Sequence, residues 1–355
     1  MRIILDAMGG DNAPLEIVKG ALQAYRDFGV DIVLTGREED IRQAAAQCGE
    51  TLPEGVTIRH CTETIEMCDD PALACRRKKD SSMTVGLQML RAGEGDAFIS
   101  AGSTGALLSG ATLLVKRVRG IRRAAMAPLI PTAGGDAVLV DCGANIDCTP
   151  EYLLQFAYIG NFYARHALKL ERPRVALLNI GAEESKGMAL QKEAYALLQE
   201  AGEAGHLNFI GNIEAKDALK GGADVIVADG FSGNVMLKTI EGVGSFLKVK
   251  LKDIFFKNTL TKFSALLVKD GVNDIKNTLD PNERGATPFL GISKPVLKAH
   301  GSSNARAIRN AVRAAIACAE SGMEQEIAEH ISLMQTGERT AGEKEAAPKE
   351  NGQSM

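Results

Sequence analysis

Apolar residues in this chain gather into short unbroken runs, and most runs end at a glycine-bearing loop that opens a helical pattern. In "RIILDAMGGDNAP", Ile3 to Leu5 form the run, Asp6 ends it and Gly9 and Gly10 make the loop. Pro14 falls where a first helical turn tolerates proline. "DIVLTG", "GVTIRHC" and the segments Asp96 to Ser100, Ala137 to Asp141, Arg174 to Ile180, Leu207 to Gly211, Asp224 to Ala228 and Pro295 to Lys298 read as further strands. Strands without polar alternation are those covered on both faces. The pattern therefore predicts an α/β protein: three layers, α/β/α, around a mainly parallel sheet, as one domain over residues 1–334.

Phe231 to about Val268 breaks the rhythm with two successive helical patterns and no strand between them, a predicted hairpin over 231–275. Met236, Ile240, Val243, Leu247, Leu251 and Ile254 recur at three- and four-residue steps, the stripe of a helix that faces a core or a second copy. At the turn Ile254, Phe255, Phe256, Leu260 and Phe263 crowd together beside Lys248, Lys250, Lys252, Lys257 and Lys262. Consecutive phenylalanines flanked by lysines suit an anionic membrane surface, where each nearby lysine contributes roughly 1 kcal/mol. The segment 335–355 has almost no large apolar residues and is predicted to be a disordered tail.

Composition narrows the function. The chain is 45% hydrophobic and 24% charged, with a net charge of −4, which argues against general nucleic-acid affinity. No apolar segment approaches the roughly 20 residues of a membrane-spanning helix, and the N-terminus lacks a signal-peptide pattern, so the expected location is the cytoplasm. Seven cysteines fit a reduced compartment. Cys61, Cys68 and Cys75 recur every seven residues, not at zinc-ligand spacing, and neither a metal nor a cofactor is expected.

Nucleophile-elbow, phosphate-loop, dinucleotide and zinc-protease signatures are all missing, as is the H-x-x-x-x-D of glycerolipid acyltransferases. Glycine loops at strand ends instead offer backbone N–H groups to an anion. Asp6, Gly9, Gly10 and Asp11 form the first, and "SAGSTG" with Ser100, Ser103 and Thr104 the second. Asn145 follows in "DCGAN", and "NIGAEESKG" pairs Asn179 with Lys186. A cation at a helix start invites an anion, though Glu183 or Glu184 offers a local partner. "ADGFSGNVMLKT" brings Asp229, Ser232, Asn234 and Lys238, and "KAHGSS" brings His300, Gly301 and Ser302. Together they describe a pocket for phosphate and an acyl carbonyl. Arg76, Arg77, Lys78 and Lys79 in "RRKKDSSM" are either a solvated loop before a Ser81- or Ser82-capped helix or a docking patch for an acidic partner.

With these motifs in this order, the chain from Met1 to about Ala319 resembles the bacterial phosphate acyltransferases, the acyl-acyl carrier protein:phosphate acyltransferases often called PlsX. The resemblance implies a fold similar to phosphotransacetylase and the isocitrate dehydrogenase group, and a homodimer. It also implies an enzyme bound peripherally to the inner face of the cell membrane through the hairpin. The implied reaction moves a long-chain acyl group from acyl carrier protein to inorganic phosphate, giving acyl phosphate for phospholipid synthesis. On that basis Lys186 and Asn234 are first choices for phosphate and oxyanion contact, with Asn145, Asn179 and His300 behind them, and no covalent acyl-enzyme is needed. The rival readings are a short-chain phosphotransacetylase using acetyl-CoA and a non-catalytic scaffold that binds acyl carrier protein at the membrane. Two departures from the family pattern are Arg284 before Gly285 and Ser103 where many relatives carry asparagine.

Overall fold

The computed structural model describes residues 1–335 except Leu260, Lys262, Phe263, Ala265 and Leu266. Its strands are β1 (Arg2–Asp6), β2 (Asp31–Gly36), β3 (Val56–His60), β4 (Ala97–Ser100), β5 (Ala125–Met126), β6 (Leu129–Thr132), β7 (Gly135–Val140), β8 (Arg174–Leu178), β9 (Asn208–Ile213), β10 (Val225–Val227), β11 (Ala286–Leu290) and β12 (Val296–Ala299). They build two sheets where the sequence reading described one: β3-β2-β1-β4-β12-β11-β5 and β6-β7-β10-β8-β9. The first five strands of the larger sheet and the last four of the smaller run parallel. β5, β6 and β11 supply the antiparallel pairs.

Strands read as unbroken apolar runs are buried on both faces, β4 and β10 along their whole length and β1 and β2 at all but their first residue. The three strands not anticipated are short and two carry proline, Pro131 in β6 and Pro288 in β11. β6 lies at a sheet edge, where a missing N–H is tolerated. One apolar cluster runs from Ile3, Leu5 and Ile99 of the larger sheet to Val138, Val140 and Val175 of the smaller. The helix Pro150–Ala167 lies in this cluster and buries Phe156, Tyr158 and Ile159. Each large apolar side chain so buried contributes roughly 1.5–3 kcal/mol, so a shared core joins the two lobes. His166, on that helix, is tied to Glu326 at 2.8 Å.

The helix Gly230–Phe255 leaves the smaller sheet and outruns it. Met236 is buried and Leu237 and Ile240 pack on the core, whereas Val243, Phe246, Val249, Ile254 and Phe256 are exposed. The apolar stripe thus serves the core only in its first turns. After Phe255 the chain returns through the helix Lys269–Thr278, with Leu279 against Gly244, and no strand intervenes among the described residues. Leu260 and Phe263 of the expected tip, and the tail from residue 336 onward, lie outside the described residues. Among the described residues no helix is long and apolar enough to cross a membrane.

Candidate active site

Parallel strands deliver their carboxyl ends to one edge of each sheet, the edge at which open α/β sheets bind ligands. In the larger sheet β1, β4 and β12 are neighbours and lead into Asp6–Asp11, Ser100–Thr104 and His300–Ser303. In the smaller, β7, β10 and β8 lead into Asp141–Asn145, Asp229–Asn234 and Asn179–Lys186. Between the two edges lies a cleft of about 400 Å³ lined by Thr104, Cys142, Gly143, Asn234, Lys238, Glu241, Arg284, Lys298 and His300, with Met126, Leu129, Ile130 and Leu279 as apolar wall. The structure therefore gathers Asn234, Lys238, His300 and Thr104 around one space. Lys186 is exposed on the β8 loop, one strand from the Asn234 loop, and does not line the cleft. Among the described residues its ammonium has no ion-pair partner, so the local pair with Glu183 or Glu184 is not formed.

Several candidates turn out to hold the loops in shape. Asn145 gives its side-chain amide to the carbonyl of Ala124 at 2.8 Å and to Asp141 at 3.0 Å. Asn179 folds the "NIGAEESKG" loop on itself, donating to the carbonyl of Lys186 at 3.2 Å and accepting from Ile180 N–H at 2.8 Å. Asp229 caps the long helix, accepting from Ser232 N–H at 2.9 Å and Ser232 hydroxyl at 2.8 Å. Ser103 likewise caps the helix Thr104–Gly110 through Ala106 N–H. These groups build the anion loops from within rather than leave free donors.

Asp6 is 2% exposed and binds Ser100 hydroxyl at 2.6 Å and Met8 N–H at 3.2 Å, with further bonds from Ser82 and Gly9. A Cβ at Gly9 would stand 2.6 Å from the Asp6 carboxylate, so only glycine lets the loop close over it. Ser82 ties the "RRKKDSSM" segment to this loop, a link the sequence did not reveal, while Ser81 is the helix cap. Burial raises the Asp6 carboxyl above its ordinary 3.8, and the hydrogen bonds oppose that only in part. A carboxyl raised in the folded state contributes stability below its unfolded value and loses it as pH rises through the folded one. Asp6→Asn is accordingly expected to gain stability relative to wild type as pH goes from about 4 to about 7 in urea denaturation, and a constant difference would refute it.

Other loop residues divide the same way. Gly10 has φ +103°, and its neighbour Asp11 donates N–H to the carbonyl of Gly301 at 2.8 Å, joining the first and last loops. Ser302 donates N–H to Nδ1 of His300 at 3.2 Å, with its hydroxyl 2.9 Å from the same nitrogen. Nδ1 is therefore an acceptor and Nε2 carries the proton in the neutral ring. Lys238 pairs with Glu241 at 2.8 Å on the cleft wall. Arg284 pairs with Asp136 at 2.5 Å and donates to Thr278 O, while its buried Nε has no partner among the described residues. Gly285, at φ +77°, packs so closely on Ala311 that a Cβ would meet its nitrogen at 2.3 Å.

Among cleft residues the sequence reading passed over are Cys142 and Lys298. Burial, with Asp141 beside it, pushes the Cys142 thiol up to about 12, so it is no thiolate nucleophile near neutral pH. Lys298 interrupts the otherwise apolar β12, the one signal that would have marked it. Of the proposed docking cations, Lys78 turns inward to Asp69 at 2.6 Å and to the carbonyl of Thr64, while Arg76, Arg77 and Lys79 are exposed. No cluster of metal-ligating side chains occurs among the described residues.

Comparison with known proteins places this geometry. A family model described as "Fatty acid synthesis protein" matches residues 1–326. The chain is 46% identical over 334 residues to a phosphate acyltransferase of Thermoanaerobacterium thermosaccharolyticum, covering 94% of this chain and 98% of that one. It is 47% identical over 332 residues to a phosphate acyltransferase of Alkaliphilus oremlandii, covering 94% and 96%. Among solved structures, a phosphotransacetylase from Streptococcus pyogenes superposes with a TM-score of 0.62 at 18% identity, over 90% of this chain and 94% of that one. A 4-hydroxythreonine-4-phosphate dehydrogenase from Klebsiella pneumoniae shares the fold at a TM-score of 0.53 and 13% identity, over 90% and 99%. With its sequence matched almost end to end, this chain belongs to the fatty acid synthesis protein family and, within it, to the phosphate acyltransferases.

Proposed function

We propose that this protein transfers a long-chain fatty acyl group from the thioester of acyl carrier protein to inorganic phosphate, releasing acyl phosphate for phospholipid synthesis. The observation that carries this reading is the cleft itself, in which amide, ammonium and imidazole donors converge and the one thiol is held protonated. Such a site collects anions and stabilises an oxyanion without forming a covalent intermediate. Phosphate attacks the thioester carbon directly, Asn234 faces the developing oxyanion, and His300 and Lys238 hold phosphate oxygens. Lys186 reaches the same edge from the neighbouring loop as a further phosphate contact.

An acidic carrier protein meets Arg76, Arg77 and Lys79 or the hairpin lysines Lys248, Lys250, Lys252 and Lys257, all of them exposed. Exposed Ile254 and Phe256 beside Lys252 and Lys257 fit peripheral contact with an anionic membrane on its cytoplasmic side, and exposed Val243, Phe246 and Val249 fit the interface of a homodimer.

The reaction is tested by incubating purified protein with long-chain acyl-acyl carrier protein, phosphate and hydroxylamine. Hydroxamate that requires both enzyme and phosphate is the expected result. Turnover of acetyl-CoA alone would make the protein a short-chain phosphotransacetylase, and binding of the carrier without turnover would make it a scaffold.

A further inference from the structure

Lys298 is a lysine in the interior of a sheet. Val296, Leu297 and Ala299 on the same strand are fully buried, and Lys298 lies in register between Ser100 of β4 and Thr287 of β11. Its side chain lines the cleft that also holds Asn234 and His300. Nζ donates to the carbonyl of Ala101 at 3.2 Å and to that of Ala299. An ammonium has three protons to give, so one remains for the cleft. No carboxylate forms an ion pair with it among the described residues.

We propose that Lys298 is the proton-transferring residue of the cleft, giving its third proton to the departing sulfur and recovering one from the attacking hydrogen phosphate. The proposal rests on the acyl-transfer reading above and adds the step that reading leaves open. Written out, an oxygen of hydrogen phosphate bonds to the thioester carbon, the C–S bond breaks and its electron pair stays on sulfur. The ammonium proton passes to that sulfur, giving the thiol. The amine so formed takes the proton left on the phosphoryl group, giving the acyl phosphate dianion and restoring the ammonium. No other reactant is needed.

The surroundings fit the task. Burial lowers the Lys298 ammonium to about 8, with Asp6 and Asp11 holding it up from the larger sheet's first loop and Lys238 lowering it from the long helix. His300 stands two residues on, and Glu241 and Arg284 line the same cleft. A free thiol has a pKa of about 8.5, so proton exchange between sulfur and this amine is close to balanced, where general acid–base catalysis works best. Arginine keeps the charge but cannot give up its proton.

Lys298→Arg and Lys298→Met are the variants, compared with wild type on two acyl donors: an alkyl thioester, whose thiolate needs a proton, and an aryl thioester, whose thiolate does not. Both variants are expected to lose about a hundredfold or more in kcat on the alkyl donor and within about threefold on the aryl donor. Lys298→Arg is expected to keep the phosphate KM within about threefold and to lose the fall in kcat above about pH 8 that wild type shows. Equal loss on both donors, or a pH limb that persists in Lys298→Arg, overturns the assignment. Should wild type prove inactive on acyl donors, the acyl-transfer reading fails, and NMR titration of the Lys298 amine in the resting protein still judges the residue. A midpoint near 8 supports a proton-exchanging lysine, and one near the ordinary lysine value of about 10.4 removes it.

Discussion

Asp141→Ala is expected to cost about 4 kcal/mol or more of folding stability, since several buried donors lose their acceptor at once. The carboxylate is fully buried at the end of β7. One oxygen accepts from Met126 N–H at 2.8 Å, Cys142 N–H at 2.7 Å and Ala144 N–H at 3.3 Å, the other from Asn145 N–H at 2.6 Å and Asn145 side-chain amide at 3.0 Å. The turn so formed presents Asn145 O to Gly230 N–H at 2.7 Å and seats the start of the long helix on it. A Cβ at Gly233 would stand 2.0 Å from Asp141 O, which shows how tightly that helix approaches. Asp141→Asn keeps the shape but turns an N–H₂ group toward N–H donors, and about half the loss is expected. Denaturant midpoints with unchanged slopes measure both. A loss below about 1 kcal/mol for Asp141→Ala would mean that water replaces the carboxylate, and the turn would not depend on it.

Asn234→Ala is expected to lower turnover about a hundred- to a thousandfold while changing stability by less than about 0.5 kcal/mol. The two effects separate because Asn234 lies at the mouth of the cleft and is exposed there. Its amide stands over Gly143, whose φ is +97° and where a Cβ would come within 3.5 Å of the amide carbon, and the residue lines the cleft. Among the described residues the amide makes no side-chain hydrogen bond and is free to meet the oxyanion, so its removal should depress kcat rather than the phosphate KM. Lys186→Ala assayed beside it should show the reverse bias, because a cation on an exposed loop helps to hold phosphate more than to stabilise the tetrahedral carbon. Near-wild-type turnover in Asn234→Ala would move the oxyanion contact to His300 or to backbone N–H groups of the Gly143 turn.

Local pattern carried the outline because it follows from burial alone. A run such as Ile3–Leu5 or Ala97–Ile99 is apolar at every position only if both its faces are covered, so parallel strands beneath helices could be read residue by residue. Helical periodicity likewise marked the long helix that starts near Phe231, and a serine pair ahead of a helical pattern marked Ser81 or Ser82 as its cap. Motif order carried the family: "LDAMGGDNAP", "NIGAEESKG" and "KAHGSS" in that order gave the resemblance, and phosphate acyltransferases nearly half identical over almost the whole chain bear it out.

Where those motifs lie relative to one another depends on distances between segments far apart in the chain. Strand pairing is non-local, so nothing in the apolar runs told that they divide into two sheets facing a cleft, or that two-residue β5 would close one of them. Polar residues in a glycine loop look alike in sequence whether they bind a ligand or each other. Folding spent Asn145, Asn179, Asp229 and Ser232 on their own loops and left Asn234 open. Folding also brought Ser82 to Asp6 and turned Lys78 away from the surface, contacts no spacing rule encodes. Sequence by itself determined most of the element types, the fold class and the family, because these rest on side-chain periodicity and the order of motifs. The tertiary structure alone decided which polar groups remain free and that Lys298 is an ammonium desolvated in a sheet, because both depend on what surrounds a side chain.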